Sequence, residues 1–181
     1  DPMLANPVHM NWDSKGRLWV ACSWSYPQIK PGEIANDKII ILEDSDNDGT
    51  ADKSNVFADG LYLPTGIELA NGGCYVGQSP DVFFLKDTNG DDVADIKELA
   101  LTGFGIEDSH HSISAWRRGP GGWIYFQEGI FLHSQIETQY GVLRNFNGGV
   151  YQYNPRTQEI RLFCRGTGGN PWGHVFDRWG Q

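Results

Sequence analysis

The sequence predicts an all-β chain built from repeated four-stranded units, and three observations lead there. Short runs of β-branched and aromatic residues recur between glycine-containing turns; no segment carries a convincing 3.6-residue apolar period; and an acidic motif returns without a gap at an offset of 43 residues. Short strands bounded by Gly and Asn read as hairpins, and repeats of roughly 40–50 residues mark propellers and related arrays. The expected architecture is therefore a β-propeller, partial in this chain, with about three four-stranded blades and the start of a fourth. A β-sandwich is the competing all-β fold, but it leaves the echo at 43 residues unexplained.

Each unit can be traced in order. The first, near residues 7–62, opens with Pro7–Asp13, passes a glycine turn into Gly16–Val20, and closes with Lys38–Leu42 and the run around Asn55–Phe57. The second, 63–104, repeats the plan with Pro64–Leu69, Cys74–Val76, Val82–Leu85 and Ile96–Leu99. The third, 110–167, uses His111–Trp116, Trp123–Phe126, Gly149–Tyr153 and Glu159–Phe163, and Ile130–Gln139 is expected to hold one helical turn at most. Pro171–Asp177 and Trp179 are expected to begin the fourth unit, residues 170–181. An open stack would expose a long strand edge. The chain is thus expected to belong to a longer polypeptide, or to an assembly that completes the ring.

Composition narrows the function classes. At 181 residues the chain can bury a sizeable core. Its net charge of −9 argues against nucleic acid, whose phosphates demand basic surface. No run approaches the roughly 20 apolar residues of a transmembrane helix, and Asp1-Pro2-Met3 does not open a signal peptide; a removed leader or a cut from a longer chain is compatible with that start. Cys22, Cys74 and Cys164 lack metal-ligand spacing and are expected as buried free thiols.

The acidic motif carries the clearest chemistry. Asp44, Asp46, Asp48 and Asp52 fall on Asp87, Asn89, Asp91 and Asp95 when the two copies are superposed. Oxygen side chains at loop positions 1, 3, 5 and 9, with the carbonyls of Thr50 and Val93 at position 7, match the wrapping of a hard cation, and calcium accepts such sets most readily. Gly49 sits at position 6, where the loop bends sharply, and Asp92 takes that place in the second copy. Position 12 holds Asn55 or Glu98 and no exiting helix follows, so these are not EF-hands. The alternative is a pair of solvated acidic turns. The two loops hold eight of the 23 acids, and bound metal would neutralise much of the negative charge.

Both acidic loops join third and fourth strands, which sets them on the face away from the long insertions. Those insertions are Cys22–Asp37, with Trp24, Tyr26 and Pro27, and Gly129–Gly148, with His133, Glu137 and Arg144. Long loops on a rigid scaffold are where function usually resides. The link Gly105–Ser112 adds His110 and His111 beside Glu107 and Asp108. A histidine at a first-strand start near the channel mouth suits general-base work, with Asp108 or Glu107 orienting its ring. The plainer reading makes both histidines link residues bonded to nearby backbone.

Taken together, Gly16–Val20, Leu42–Gly49, Phe57–Leu61 with Pro64–Gly66, Glu107–His111, Gly129–Phe131 with His133-Ser134, and Asn170–Gly173 resemble the membrane-bound dehydrogenase-type domain abundant in planctomycete-type bacteria. That domain is itself similar to the soluble quinoprotein glucose and sorbosone dehydrogenases. The resemblance implies a periplasmic, cell-surface or secreted propeller that oxidises sugar or alcohol hydroxyls with pyrroloquinoline quinone. It implies that His111, eight residues before Gly119-Pro120, is the general base. The relatives carry an Asp immediately before this histidine; here it is His110, which leaves orientation to Asp108. They also grip the quinone with Arg-Asn-Pro. Asn170 and Pro171 match, whereas Gly169 replaces the Arg and Arg165 is the nearby substitute. Two other functions stand beside this one. One is a non-catalytic, calcium-stabilised propeller binding glycan or protein through Trp24, Tyr26 and Gly129–Gly148; the other is a propeller hydrolase or lactonase with a metal in its channel.

Overall fold

The structure, a computed structural model, describes residues 4–166 and 168–180. Asp1–Met3, residue 167 at the end of the third predicted unit and residue 181 at the end of the fourth fall outside it. The chain is all-β: fourteen strands, two single-turn 3-10 helices and no α-helix among the described residues. The first sheet is β1 (Pro7–Trp12), β2 (Leu18–Cys22), β3 (Asp37–Glu43) and β4 (Lys53–Leu61), antiparallel in sequence order. The second repeats that order with β5 (Gly66–Ala70), β6 (Gly73–Gln78), β7 (Asp81–Lys86) and β8 (Ile96–Thr102). The third is β9 (Ser114–Arg118), β10 (Ile124–Glu128), β13 (Gly149–Asn154) and β14 (Glu159–Arg165), with β11 (His133–Thr138) and β12 (Gly141–Phe146) forming a separate hairpin between β10 and β13.

Alternation decides which sheet faces which. In β2 and β3, Trp19, Ala21, Ile39 and Ile41 point into a core shared with Ile67 and Val76 of the second sheet. The intervening Val20, Cys22, Ile40 and Leu42 bury the opposite face. Both faces of these inner strands are covered, so they read as unbroken apolar runs rather than as alternating ones. A second core joins the other sheets through Tyr75, Val82, Trp116, Phe126 and Tyr151. The first strands converge, with β5 packed between β1 and β9.

Four expectations need correction. Ile130–Gln139 holds no helical turn; most of it is β11, where Ser134 and Ile136 point inward and their neighbours outward. Residues 170–180 form no strand, because a strand needs a hydrogen-bonded neighbour and this segment pairs with none of the described strands. His111 does not open a strand either. It ends the 3-10 turn Ser109–His111, which Asp108 caps by accepting the His110 N–H at 2.9 Å, and β9 begins three residues later. Cys22 and Cys74 are buried free thiols, but Cys164, near the end of the outermost strand, is exposed.

Candidate functional site

The long first insertion is anchored by one buried carboxylate. Asp37, at the start of β3, accepts from Ser23 Oγ at 2.9 Å, Ser25 N at 2.9 Å and Leu63 N at 2.8 Å, tying both ends of the loop to the link between the first two sheets. So held, the loop sets the Tyr26 ring 5.3 Å from His110 on the neighbouring link. The insertion and the 105–113 link therefore share one face.

His111 lies beside this contact but is only 6% exposed. Its Nδ1 is 2.7 Å from the Ile130 carbonyl and its Nε2 is 2.7 Å from the Asn170 side-chain amide. A carbonyl can only accept, so Nδ1 carries a proton and the neutral ring offers its lone pair at Nε2. The amide atom facing Nε2 is Asn170 Oδ1, an acceptor to which Nε2 must donate; only with the amide turned end for end does its NH2 group meet the Nε2 lone pair of the neutral ring. Asp108 Oδ2 stands 3.6 Å from Nδ1, outside hydrogen-bond range, so the expected orienting carboxylate is replaced by a backbone carbonyl. Gly129 lets the ring approach this closely, since a Cβ there would lie 2.7 Å from it. Glu107 pairs with His133 instead, at 3.0 Å. Burial works against its ionised form, yet hydrogen bonds from its own N–H and from His133 hold Glu107 below the usual carboxylate range.

Two cavities that share Val8, Thr65, Ser114 and Trp172 open beside the Tyr26–His110 contact. The upper, about 210 Å³, is lined by Tyr26, His110, Ser112 and Trp172. The lower, about 90 Å³, continues past Val8, Thr65, Ser114 and Trp172 to His9, Arg117 and His174. Among the described residues neither has a carboxylate in its wall, in a chain with 23 acids. Burial and the Arg117 charge push His9 down to about 4 and lower His174 as well, so both rings are neutral at pH 7. Both ring nitrogens of His174 are buried without a partner among the described residues. Arg165, by contrast, reaches Asn145 at 3.4 Å.

On the opposite face, the acidic hairpins fold alike. In the first, Asp44 accepts from Asp48 N and Gly49 N, and Asp48 from Thr50 N, which turns the side-chain oxygens of Asp44, Asp46 and Asp48 to within 4.8 Å of one another. In the second, Asp87 accepts from Asn89, Gly90 and Asp92 N–H groups, Asn89 from Asp91 N and Asp91 from Val93 N. Asp52 and Asp95 close each loop by accepting from Ser45 and Thr88 hydroxyls at 2.7 and 2.6 Å. The Gly90 N–H first of all holds Asp87 below the ordinary aspartate range, and the Ser45 hydroxyl does the same for Asp52. Gly49 and Asp92 both adopt positive φ, +90° and +63°. Asp92 is held there by Arg17 of the first sheet, whose Nη1 lies 2.8 Å away while its Nε bonds Asp13 at 2.9 Å.

The whole chain, residues 1–181, matches a family described as a domain of unknown function, DUF7133. The chain belongs to that family. No curated protein matches it.

In this DUF7133 member the histidine site rests on a buried carboxylate that sequence reasoning missed. Glu128 is fully buried immediately before Gly129 and accepts from Ser134 Oγ at 2.6 Å and Asn145 Nδ2 at 2.8 Å, fastening the β11–β12 hairpin to β10. Ser134 Oγ in turn accepts from Gly105 N at 2.9 Å. The only available signal was the alternation of β11, whose inward members include a serine. Burial raises the Glu128 carboxyl above the ordinary range, against the pull of the Ser134 and Asn145 hydrogen bonds. Glu128 therefore stabilises the fold fully below the unfolded glutamate value of about 4.3 and ceases to as pH rises through its higher folded value. The Glu128 contribution to unfolding free energy should fall with pH over that window, as that of Glu68 does, against the opposite slopes of His9 and His174, so Glu128→Gln should turn the measured slope upward in guanidinium titrations. Equal slopes in the two proteins would remove Glu128 as the cause.

Proposed function

We propose that the three four-stranded sheets are successive blades of a β-propeller, that its acidic hairpins hold structural calcium, and that its insertion face bears an extracytoplasmic dehydrogenase-type site acting on sugar or alcohol hydroxyls. One observation carries the reading: His111 and Asn170, the two residues the quinoprotein resemblance singles out, stand 59 positions apart in sequence and 2.7 Å apart in space. The convergence of β1, β5 and β9 supports the blade arrangement, because innermost strands neighbour one another around a propeller axis. Further blades, from the same polypeptide or from an assembly, complete the ring in this reading.

The residues present suit an anionic, planar cofactor such as pyrroloquinoline quinone in one respect that counts. The His174 nitrogens, without a partner among the described residues, and the Arg117 guanidinium line a chamber to which no described carboxylate contributes, supplying polar partners where Gly169 withholds a cation. Asn170, Arg117 and His174 would hold the group, with Arg165 directed elsewhere; when bound, it supplies the two-electron acceptor for alcohol oxidation. His111 contributes the proton acceptor. The Ile130 carbonyl selects the tautomer whose Nε2 lone pair can take a hydroxyl proton, and a substrate hydroxyl reaches it where the Asn170 amide now sits.

The test is reconstitution with quinone and calcium and a panel of sugars and alcohols, following dye reduction. His111→Ala should cost about 10²–10⁴-fold in rate, while Asn170→Ala should weaken quinone binding and free the His111 ring. Absence of quinone binding at micromolar concentration removes the dehydrogenase reading and leaves the propeller as a binding module.

A further inference from the structure

We infer that the cleft on the hairpin face, between the first and second sheets, is a binding site for a neutral saccharide. It lies away from the histidine site and does not depend on the dehydrogenase reading. The cleft measures about 520 Å³ and is walled by the β1–β2 turn, the β5–β6 turn and the second acidic hairpin. That volume falls within the range of about 300–1,000 Å³ typical of small-ligand sites.

Trp12 points to the ligand class. Its side chain stands at the end of β1, 64% exposed, on the cleft wall. The companion Trp19 across the same hairpin is buried, with Nε1 on Asp13 at 3.1 Å and its ring edge-on to Phe57 at 4.5 Å. One indole thus completes the core and the other is left as an open platform. Around that platform the polar groups are of both signs. Arg17 is engaged by Asp13 and Asp92, which stiffens one wall and withdraws those charges from a ligand. Lys15 and Arg118 have no side-chain hydrogen bond among the described residues, and the Asp87 and Glu68 carboxylates share the same cleft. Glu68 is 4% exposed and oriented by Asn11 Nδ2 at 3.0 Å.

A pyranose matches this arrangement group by group. Its C–H face stacks on an indole, and its hydroxyls both donate to carboxylates and accept from cations. A polyanion would meet the Glu68 carboxylate head-on, and a purely apolar ligand would strand Glu68, Lys15 and Arg118 without water.

The experiment titrates the full chain, in calcium, with cellohexaose, laminarihexaose and maltohexaose, and with a heparin-derived hexasaccharide as the charged probe. Calorimetry and tryptophan fluorescence report binding. At least one neutral hexaose should bind with Kd of about 0.1–1 mM and shift the emission. Trp12→Ala should weaken this about tenfold or more, with Trp12→Phe retaining part of it and melting temperature unchanged in both. Trp179→Ala, at an indole that is 73% exposed and does not line the cleft, should bind as the parent does. Binding indifferent to Trp12→Ala, tighter binding of the heparin fragment, or no neutral hexaose bound at ~10 mM each overturns the proposal.

Discussion

Trp116→Ala should lower the unfolding free energy by about 3–5 kcal/mol, the cost of emptying a large aromatic site in a packed core. Trp116 is fully buried on β9 and joins the third sheet to the second. On one side its ring stacks on Phe126 at 4.3 Å and 11°. On the other it lies on a floor of two glycines, Gly66 and Gly77. A Cβ at Gly77 would come within 2.7 Å of the indole, and one at Gly66 would overlap it. The indole N–H still reaches the Ile113 carbonyl, at 3.3 Å, so no polar atom is stranded. Domains of this kind have only about 5–15 kcal/mol in all, so this one truncation approaches unfolding. Gly66→Ala should be severe for the reciprocal reason, since the overlap can be relieved only by separating the sheets. In a Trp116→Ala background the same Gly66→Ala change should be mild, because the ring it strikes is gone. A denaturant double-mutant cycle at constant m reads this coupling; additive effects would show that the glycine floor and the indole are not one joint.

That joint also shows where the sequence was legible. The strands of all three sheets were readable because each follows local chemistry: β-branched and aromatic runs between glycine turns, and an acidic loop repeated in register. The His111–Asn170 meeting was reachable only through a family resemblance, since no local rule links positions 59 apart. The β11–β12 hairpin was missed because its inward-facing set mixes Ser134 and Asn145 with Ile136, so polarity conceals a period of two. Glu128 accounts for that choice of residues, as both polar side chains serve its carboxylate. The orienting group for His111 was misjudged for a related reason. Sequence displays side-chain acids such as Asp108, whereas the bond falls to the Ile130 backbone carbonyl, which no residue type announces. At the sharp bend of the second hairpin Asp92 stands where the first has Gly49, and its partner there, Arg17, comes from across the sheet boundary, which the local sequence does not display.

Calcium should raise the melting temperature by about 5–10 °C, and chelation should reverse the gain. A ligand present at 100 times its Kd stabilises by about 2.7 kcal/mol, and each kcal/mol moves a domain of this size by about 2–4 °C. The physical basis is the first hairpin, where backbone N–H groups turn the oxygens of Asp44, Asp46 and Asp48 toward one point, within 4.8 Å of one another, with no cationic side chain bonded to any of them among the described residues. Carboxylates held together in that way repel, and a cation joining them would offset that repulsion. The hairpins should not respond identically. Asp92 is clamped by Arg17 and Ala94 N bonds the Phe57 carbonyl at 2.7 Å, so the second loop is braced against the first sheet before metal arrives. Asp44→Ala should remove one part of the calcium response and Asp87→Ala the other, with Arg17→Ala weakening only the second. Magnesium, which keeps its waters, should substitute poorly. A melting temperature indifferent to millimolar calcium, or a full response surviving in the Asp44→Ala, Asp87→Ala double variant, would reduce both hairpins to solvated turns.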